Sequence, residues 1–213
     1  MPLIADDILV WCSSVVRACK EELVAEYGIG TECAPTVFAF DQLGQPLGWA
    51  QMDEGADSHE DQYRRLAIVA GMMRSGWHAG ATVVTVEGYA WLDLENDPET
   101  SLANAFASGD QRAMEALALS YADENGRVVE IALPYTQLFG RRIDWELPRR
   151  RDDDALGTLS DVGRNVFTYV SPLEWPGDYR PAIYMAEIAE RMADHGFILV
   201  CGVPGHDTAW DIA

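Results

Sequence analysis

Late in the sequence, "CGVPGHD" sets a thiol, Cys201, five residues before an imidazole, His206. A cysteine nucleophile needs a base within hydrogen-bond reach and a third group that orients the base. Inside one Gly/Pro loop this pair meets only if the loop folds back on itself. Cysteine–histidine catalysts usually draw the two residues from distant parts of a chain. Cys201 also continues an apolar run at 197–200, where a thiol behaves as a small buried hydrophobe. The expectation is a strand ending at a packed Cys201, then a turn and a tail with an exposed, unpaired His206. The Gly-Val-Pro-Gly stretch has neither the spacing nor the lysine of a phosphate-cradling loop.

A second candidate is a pair of carboxylates. Glu87 interrupts the apolar run "VVTVEGYAW", and Glu115 opens "MEALALSY". If the two runs pair as strands, both carboxylates lie near one another beside Arg112. A carboxylate next to arginine is most often a structural ion pair. Paired carboxylates are also the apparatus of acid–base hydrolysis. The metal ligands are less promising. His59, His78, His195 and His206 show none of the short spacings of zinc sites. The "HED" run at 59–61 falls in a predicted first helical turn, where carboxylates are favoured in any case. Asp152, Asp153 and Asp154 lack the alternating ligands and the glycine of a calcium loop. No metal and no cofactor is expected.

The elements that must position these groups follow from periodicity. Residues 4–26 predict a helix with a stripe of Ile8, Trp11, Cys12, Val15, Val16, Cys19 and Leu23, and with Arg17, Lys20, Glu21, Glu22 and Glu26 off or beside it. "PTVFAFD" and "LGWAQM" around "QLGQP" predict a hairpin. A second helix follows, capped by Ser58, with Tyr63, Leu66, Ala67, Ala70, Met73 and Trp77 recurring at three and four. "ATVVTVEGYAWLDL" predicts a strand, with Gly88 as a bulge. The clearest signal is two alternating runs on either side of Asn125-Gly126, which predicts strands at 114–123 and 127–136 joined by a type I′ turn. "RRIDWEL" adds a short strand.

The core therefore predicts an α-β-β-α-β-β-β order: an α+β fold, a mainly antiparallel sheet covered by two helices. It is assigned to residues 1–148. "PRRRDDDALG" predicts a solvated linker. Residues 149–213 are then a linker and a helical C-terminal extension packing on the core, with helices in "SDVGRNVF" and "RPAIYMAEIAERMADHG" and a last strand in "FILVCGV".

"VEGYAWL" followed by "DQRAMEALALSYADENGRVVEIALPY" resembles a recurrent pattern in uncharacterised bacterial and phage α+β proteins, over roughly residues 80–136. There a strand carrying Glu and Trp precedes an Arg/Glu-led hairpin with a Gly turn. "EGYAW" is looser than the usual Glu-Ala-Trp. The resemblance implies the fold and a phage or bacterial origin, and it implies no activity.

Composition narrows the partners. Thirty-five acidic residues against 15 basic ones give a net charge of −20. Such a surface disfavours nucleic acid and anionic membranes and favours a protein partner with a basic surface. Lys20 is the single lysine among the basic residues, a bias of GC-rich genomes. Four cysteines without a Cys-x-x-Cys pair, and an acidic opening where a signal peptide would be basic, predict reduced thiols and a cytoplasmic location. Cys12 and Cys19 share a helix face about 10 Å apart, too far for a disulfide. Most of the seven tryptophans sit in predicted elements and belong to the core. Trp145 and Trp175, near the linker, are the expected exposed anchors for a partner. The function expected is a non-enzymatic acidic interaction protein, a phage- or bacteria-encoded modulator that binds a basic host protein. The alternative is a small hydrolase using Glu87/Glu115 or Cys201/His206.

Overall fold

The computed structural model describes residues 5–53, 55–91, 104, 107, 109, 113–138, 141–152, 158–172 and 181–201. Helix α1 (Ala5–Tyr27) opens with Asp6 and Asp7 in its first turn, where carboxylates meet the positive end of the helix dipole. Its buried side runs Ile8, Cys12, Val16, Lys20 and Val24, one step of four after another, with Ala5 and Leu9 beside them. The stripe is therefore rotated from the one that apolarity alone predicts. Trp11 is 38% exposed, and Lys20, set beside the stripe in the sequence reading, is 0% exposed. A buried lysine is tolerable only with a counter-charge, which this one has.

The hairpin of β1 (Thr36–Phe40) and β2 (Pro46–Met52) forms as expected, with Pro46 at the first position of its strand. Helix α2 (His59–Gly76) is capped by Ser58, whose hydroxyl accepts from the Asp61 amide at 3.1 Å. Strands β3 (Ala81–Trp91), β4 (Ala113–Asp123) and β5 (Val128–Leu138) make the antiparallel centre of the sheet. The β3–β4 register is unbroken from Ala81↔Asp123 to Trp91↔Ala113, so the bulge expected at Gly88 does not form.

The β4–β5 turn sits where Asn125-Gly126 predicts it, but it is not type I′. Only Gly126 has a positive φ, of 81°, and Asn125 does not. Glu124, Asn125 and Gly126 form a three-residue loop closed by hydrogen bonds between Asp123 and Arg127. The Asp123 carboxylate decides this. Its Oδ1 accepts from the Asn125 amide at 2.9 Å and the Arg127 amide at 3.1 Å, which closes an Asx turn over Asp123–Asn125.

The chain continues through β6 (Arg142–Trp145), β7 (Arg149–Asp152), α3 (Thr158–Tyr169), α4 (Pro181–Ala193) and β8 (Phe197–Cys201). Residues 149–152, expected in a solvated linker, form β7 and pair with residues 129–132 of β5. β6 pairs with residues 135–138 of the same strand, so β6 and β7 are two halves of one edge. A charged arginine run suits an edge strand, because its side chains stay in water while its backbone is paired. The rest of the predicted linker, at 153–157, lies outside the described residues.

The sheet has the order β6-β5-β4-β3-β1-β2-β8, with β7 beside β6 on β5, and every pairing is antiparallel. The fold is α+β. Because side chains alternate along a strand, the sheet has two distinct faces. One face packs against α2, α3 and α4, through Leu66, Met73, Val162 and Met192. The other carries α1, packed on Phe38, Val83, Leu117 and Leu133. Among the described residues no helix is long and apolar enough to cross a membrane.

Candidate functional site

The C-terminal half of α1 and the connection at 28–35 lie over a polar part of the sheet. In register, Tyr89, Glu115, Tyr135 and Trp145 form one cross-strand row, and Glu87, Leu117 and Leu133 form the next. All lie on the α1 face. Both candidate carboxylates are thus on one face in neighbouring rows, as strand pairing predicts.

Their cation is Lys20, which reaches Glu87 from α1. Lys20 Nζ donates to Glu87 Oε1 at 2.6 Å and to the Thr31 carbonyl at 2.5 Å. Tyr135 donates its hydroxyl to the same Glu87 oxygen. The other oxygen, Oε2, accepts from the Cys33 amide at 2.6 Å. Lys20 Nζ also stands 5.0 Å from the centre of the Tyr135 ring. Burial, and then donation to Glu87, pushes the Tyr135 hydroxyl well above its ordinary value. Arg112, the cation expected beside these carboxylates, lies outside the described residues.

Glu115 acts one step further out. Its Oε2 accepts from Gln137 Nε2 at 3.0 Å, and Gln137 Oε1 accepts from the Gly30 amide at 2.8 Å. Each carboxylate therefore holds one point of the connection after α1: Glu87 at Cys33, and Glu115, through Gln137, at Gly30. Gly28 makes this path possible, since its φ of 101° turns the chain out of the helix in a conformation that glycine adopts without strain.

Trp145 closes the network rather than standing exposed. It is half-buried, edge-on to Tyr135 with centroids 5.3 Å apart, and its indole N–H donates to Glu21 Oε1 at 2.7 Å. The Arg17 guanidinium lies 5.1 Å from its ring centre. The other expected anchor, Trp175, lies outside the described residues, as does His206. Cys201 pairs with Trp49 at the end of β8, so the apolar run at 197–200 does join the sheet.

Beside the network is a pocket of about 60 Å³, lined in part by Cys19, Cys33, Thr36, Trp49, Gln51 and Glu87. Cys19 and Cys33 both line it. Cys12, fully buried on the inner side of α1, is pushed up by burial alone. Among the described residues no group of three or more His, Cys, Asp or Glu could hold a metal ion.

The outer side of the same segment is acidic. Glu21, Glu22, Glu26 and Glu32 are exposed, and the last turn of α1 has no basic residue. Arg141 serves that helix end from elsewhere, donating to the Ala25 and Glu26 carbonyls at 3.0 and 3.2 Å. Among the carboxylates stand two large apolar side chains, Tyr27 and Ile29, 67% and 54% exposed.

Sequence reasoning singled out Glu87 and Glu115 but missed Lys20, Tyr135 and Gln137. One signal was available for Lys20. It is the only lysine, and it stands four residues from both Val16 and Val24 on the buried stripe. No protein-family model, curated protein or solved structure matches this chain.

Proposed function

We propose that this protein is a non-enzymatic interaction module whose α1 C-terminal end docks on a basic protein surface. The observation that carries the reading is the segment at 21–32, where Tyr27 and Ile29 are exposed among four exposed glutamates. An apolar anchor ringed by one sign of charge is the anatomy of a docking site for a partner of the opposite sign. The net charge of −20 adds long-range attraction for such a partner. The Lys20–Glu87 network supports the reading from beneath, because it fixes the segment before binding and so reduces the ordering cost of association. A phage- or bacteria-encoded modulator of a basic host protein fits this chemistry.

Among the described residues nothing favours the Glu87/Glu115 form of the hydrolase alternative, and His206, needed for its Cys201/His206 form, lies outside them. Glu87 neutralises Lys20 and accepts from Tyr135 and Cys33, and Glu115 accepts from Gln137. Both carboxylates are spent on holding the backbone.

The test is capture from bacterial lysate with wild type and with the triple variant Glu22→Lys/Glu26→Lys/Glu32→Lys. The expected result is a basic protein retained by the wild type at low salt, released as salt rises, and not retained by the variant. Exposed charges are screened over about 8 Å at physiological ionic strength, so the salt response should be steep. Capture that ignores both the salt and the reversal would overturn the reading.

A further inference from the structure

The pocket beside the Lys20–Glu87 network exists because α1 lies off to one side of the sheet. The helix comes close to β4, β5 and β6, whereas β1 and β2 stand beyond β3 in the strand order. α1 reaches toward those two strands with its side chains. Trp11 is long enough. It meets Phe38, Phe40 and Trp49 edge-on, with ring centres 6.0, 5.8 and 6.4 Å away. About two turns later the helix presents Cys19 instead, and the connection brings only Cys33 and Ala34. These short side chains leave the space before Trp49 and Gln51 of β2 open.

Size and charge limit what that space can take. Its volume of about 60 Å³ is well under the roughly 150 Å³ of a cavity that holds benzene. It suits a short aliphatic side chain and not an aromatic ring. Glu87 lines it, but the charge of Glu87 is already matched. Lys20 Nζ stands 2.6 Å from Oε1, Tyr135 donates to the same oxygen, and the Cys33 amide donates to Oε2. A further cation inside would be buried beside Lys20 without a counter-charge of its own, which is costly. Outside, the charges are unmatched. Glu22 follows Cys19 by one turn on the same face of α1, Glu32 precedes Cys33 in the chain, and both are exposed. The chemistry is therefore apolar within and anionic at the mouth.

We propose that this pocket receives a single short aliphatic side chain, valine-sized, from a basic segment of the partner, whose flanking Lys or Arg residues stay outside with the glutamates. The proposal rests on the docking reading for the charge of the partner, and it adds the residue that the partner inserts. The walls are set before binding. Glu87 holds the backbone at Cys33, and the Trp49 ring packs on Phe38 with centres 5.8 Å apart. Little ordering remains to be done at association. One buried anchor inside a charged surround fixes the register of a segment that charge alone would leave free to slide.

The test compares two arginine peptides that differ at one central position, valine in one and serine in the other, titrated into the isotope-labelled protein. The valine peptide should bind about tenfold more tightly, the difference that burying one such side chain supplies. Its methyl protons should show intermolecular NOEs to the Trp49 ring and the Val15 methyls. Cys19→Phe, which fills the pocket from α1, should bind the two peptides equally, with circular dichroism establishing that it folds. The proposal is overturned if the wild type binds both peptides equally, if the valine methyls make no contact with Trp49 or Val15, or if folded Cys19→Phe still prefers valine. Equal binding with shifts at residues 21–32 would overturn the pocket and leave the docking reading standing. A valine preference with undiminished affinity in Glu22→Lys/Glu26→Lys/Glu32→Lys would keep the pocket and overturn the docking reading. Failure of both peptides to bind would overturn both.

Discussion

On one face of the sheet, α2 sets Leu66, Val69 and Met73 against Val37, Val84 and Val86, with α3 and α4 closing the same apolar cluster. On the other, α1 begins in the same way, with Ile8, Leu9 and Cys12 on aromatic and aliphatic strand residues, and then changes chemistry. From Lys20 onward it is held by an ion pair, a tyrosine hydroxyl and backbone hydrogen bonds. Apolar packing is non-directional and tolerates volume-conserving exchange. A buried charge network has fixed geometry, and it fails sharply when one member is lost. The difference explains why the α1 side can carry a segment of defined shape. The path of residues 28–33 is set by Glu87 and by Gln137, and not by filling space.

Removing a single charge should have the largest effect. Lys20→Met leaves the Glu87 carboxylate buried without its cation, and should cost about 3–5 kcal/mol in denaturant unfolding. The double variant Lys20→Met/Glu87→Leu should recover much of that loss, since replacing a whole buried pair by apolar groups is often close to neutral. Strictly additive losses would mean that the pair is not coupled. On the opposite face, Met73→Ala should cost about 3 kcal/mol through its cavity, with no partner mutation that restores it.

A smaller effect depends on pH. Tyr121 and Tyr135, both on the α1 face, are raised above the ordinary tyrosine value, first by burial and then by donation to Asp123 and Glu87 respectively. The folded state keeps these protons above the pH at which the unfolded chain gives them up, near 10. Stability contributed by both hydroxyls is therefore fully present below about pH 10 and falls as pH rises beyond it, by at most about 1.4 kcal/mol per pH unit for each. Urea midpoints measured from pH 8 to 11 should show this loss, and Tyr135→Phe should make it shallower.

The smallest effect concerns the loop alone. Gln137→Ala removes the link between Glu115 and the Gly30 amide, and should cost about 1 kcal/mol. Hydrogen exchange should rise at residues 28–33 and stay unchanged in α2.

The elements that could be read from the sequence are those whose signals are local. Ser58 announces α2, the alternation on either side of Asn125-Gly126 announces β4 and β5, and residues 197–200 announce β8. The misreadings came from groups whose partners are remote. Lys20 looks like a surface residue until Glu87, 67 residues away, supplies its counter-charge. The arginines at 149–151 look like a linker until the free edge of β5 takes them as a strand. Asn125-Gly126 marks the right place for the turn, but the Asp123 side chain chooses its type. Glu87 and Glu115 stood out because carboxylates are rare in apolar strands. Their task, holding the backbone at Cys33 and Gly30, depends on a register that the sequence does not spell out.

We propose that the docking surface lies on the α1 side and not on the α2–α3–α4 side. The most direct measurement is a titration of the 15N-labelled protein with an arginine-rich peptide, followed by amide chemical shifts at low and then high salt. Shifts should concentrate at residues 21–32, with smaller ones at the neighbouring 141–145. They should disappear at high salt and in Glu22→Lys/Glu26→Lys/Glu32→Lys. Shifts spread evenly over the acidic surface, or centred on α2, α3 or α4, would contradict it.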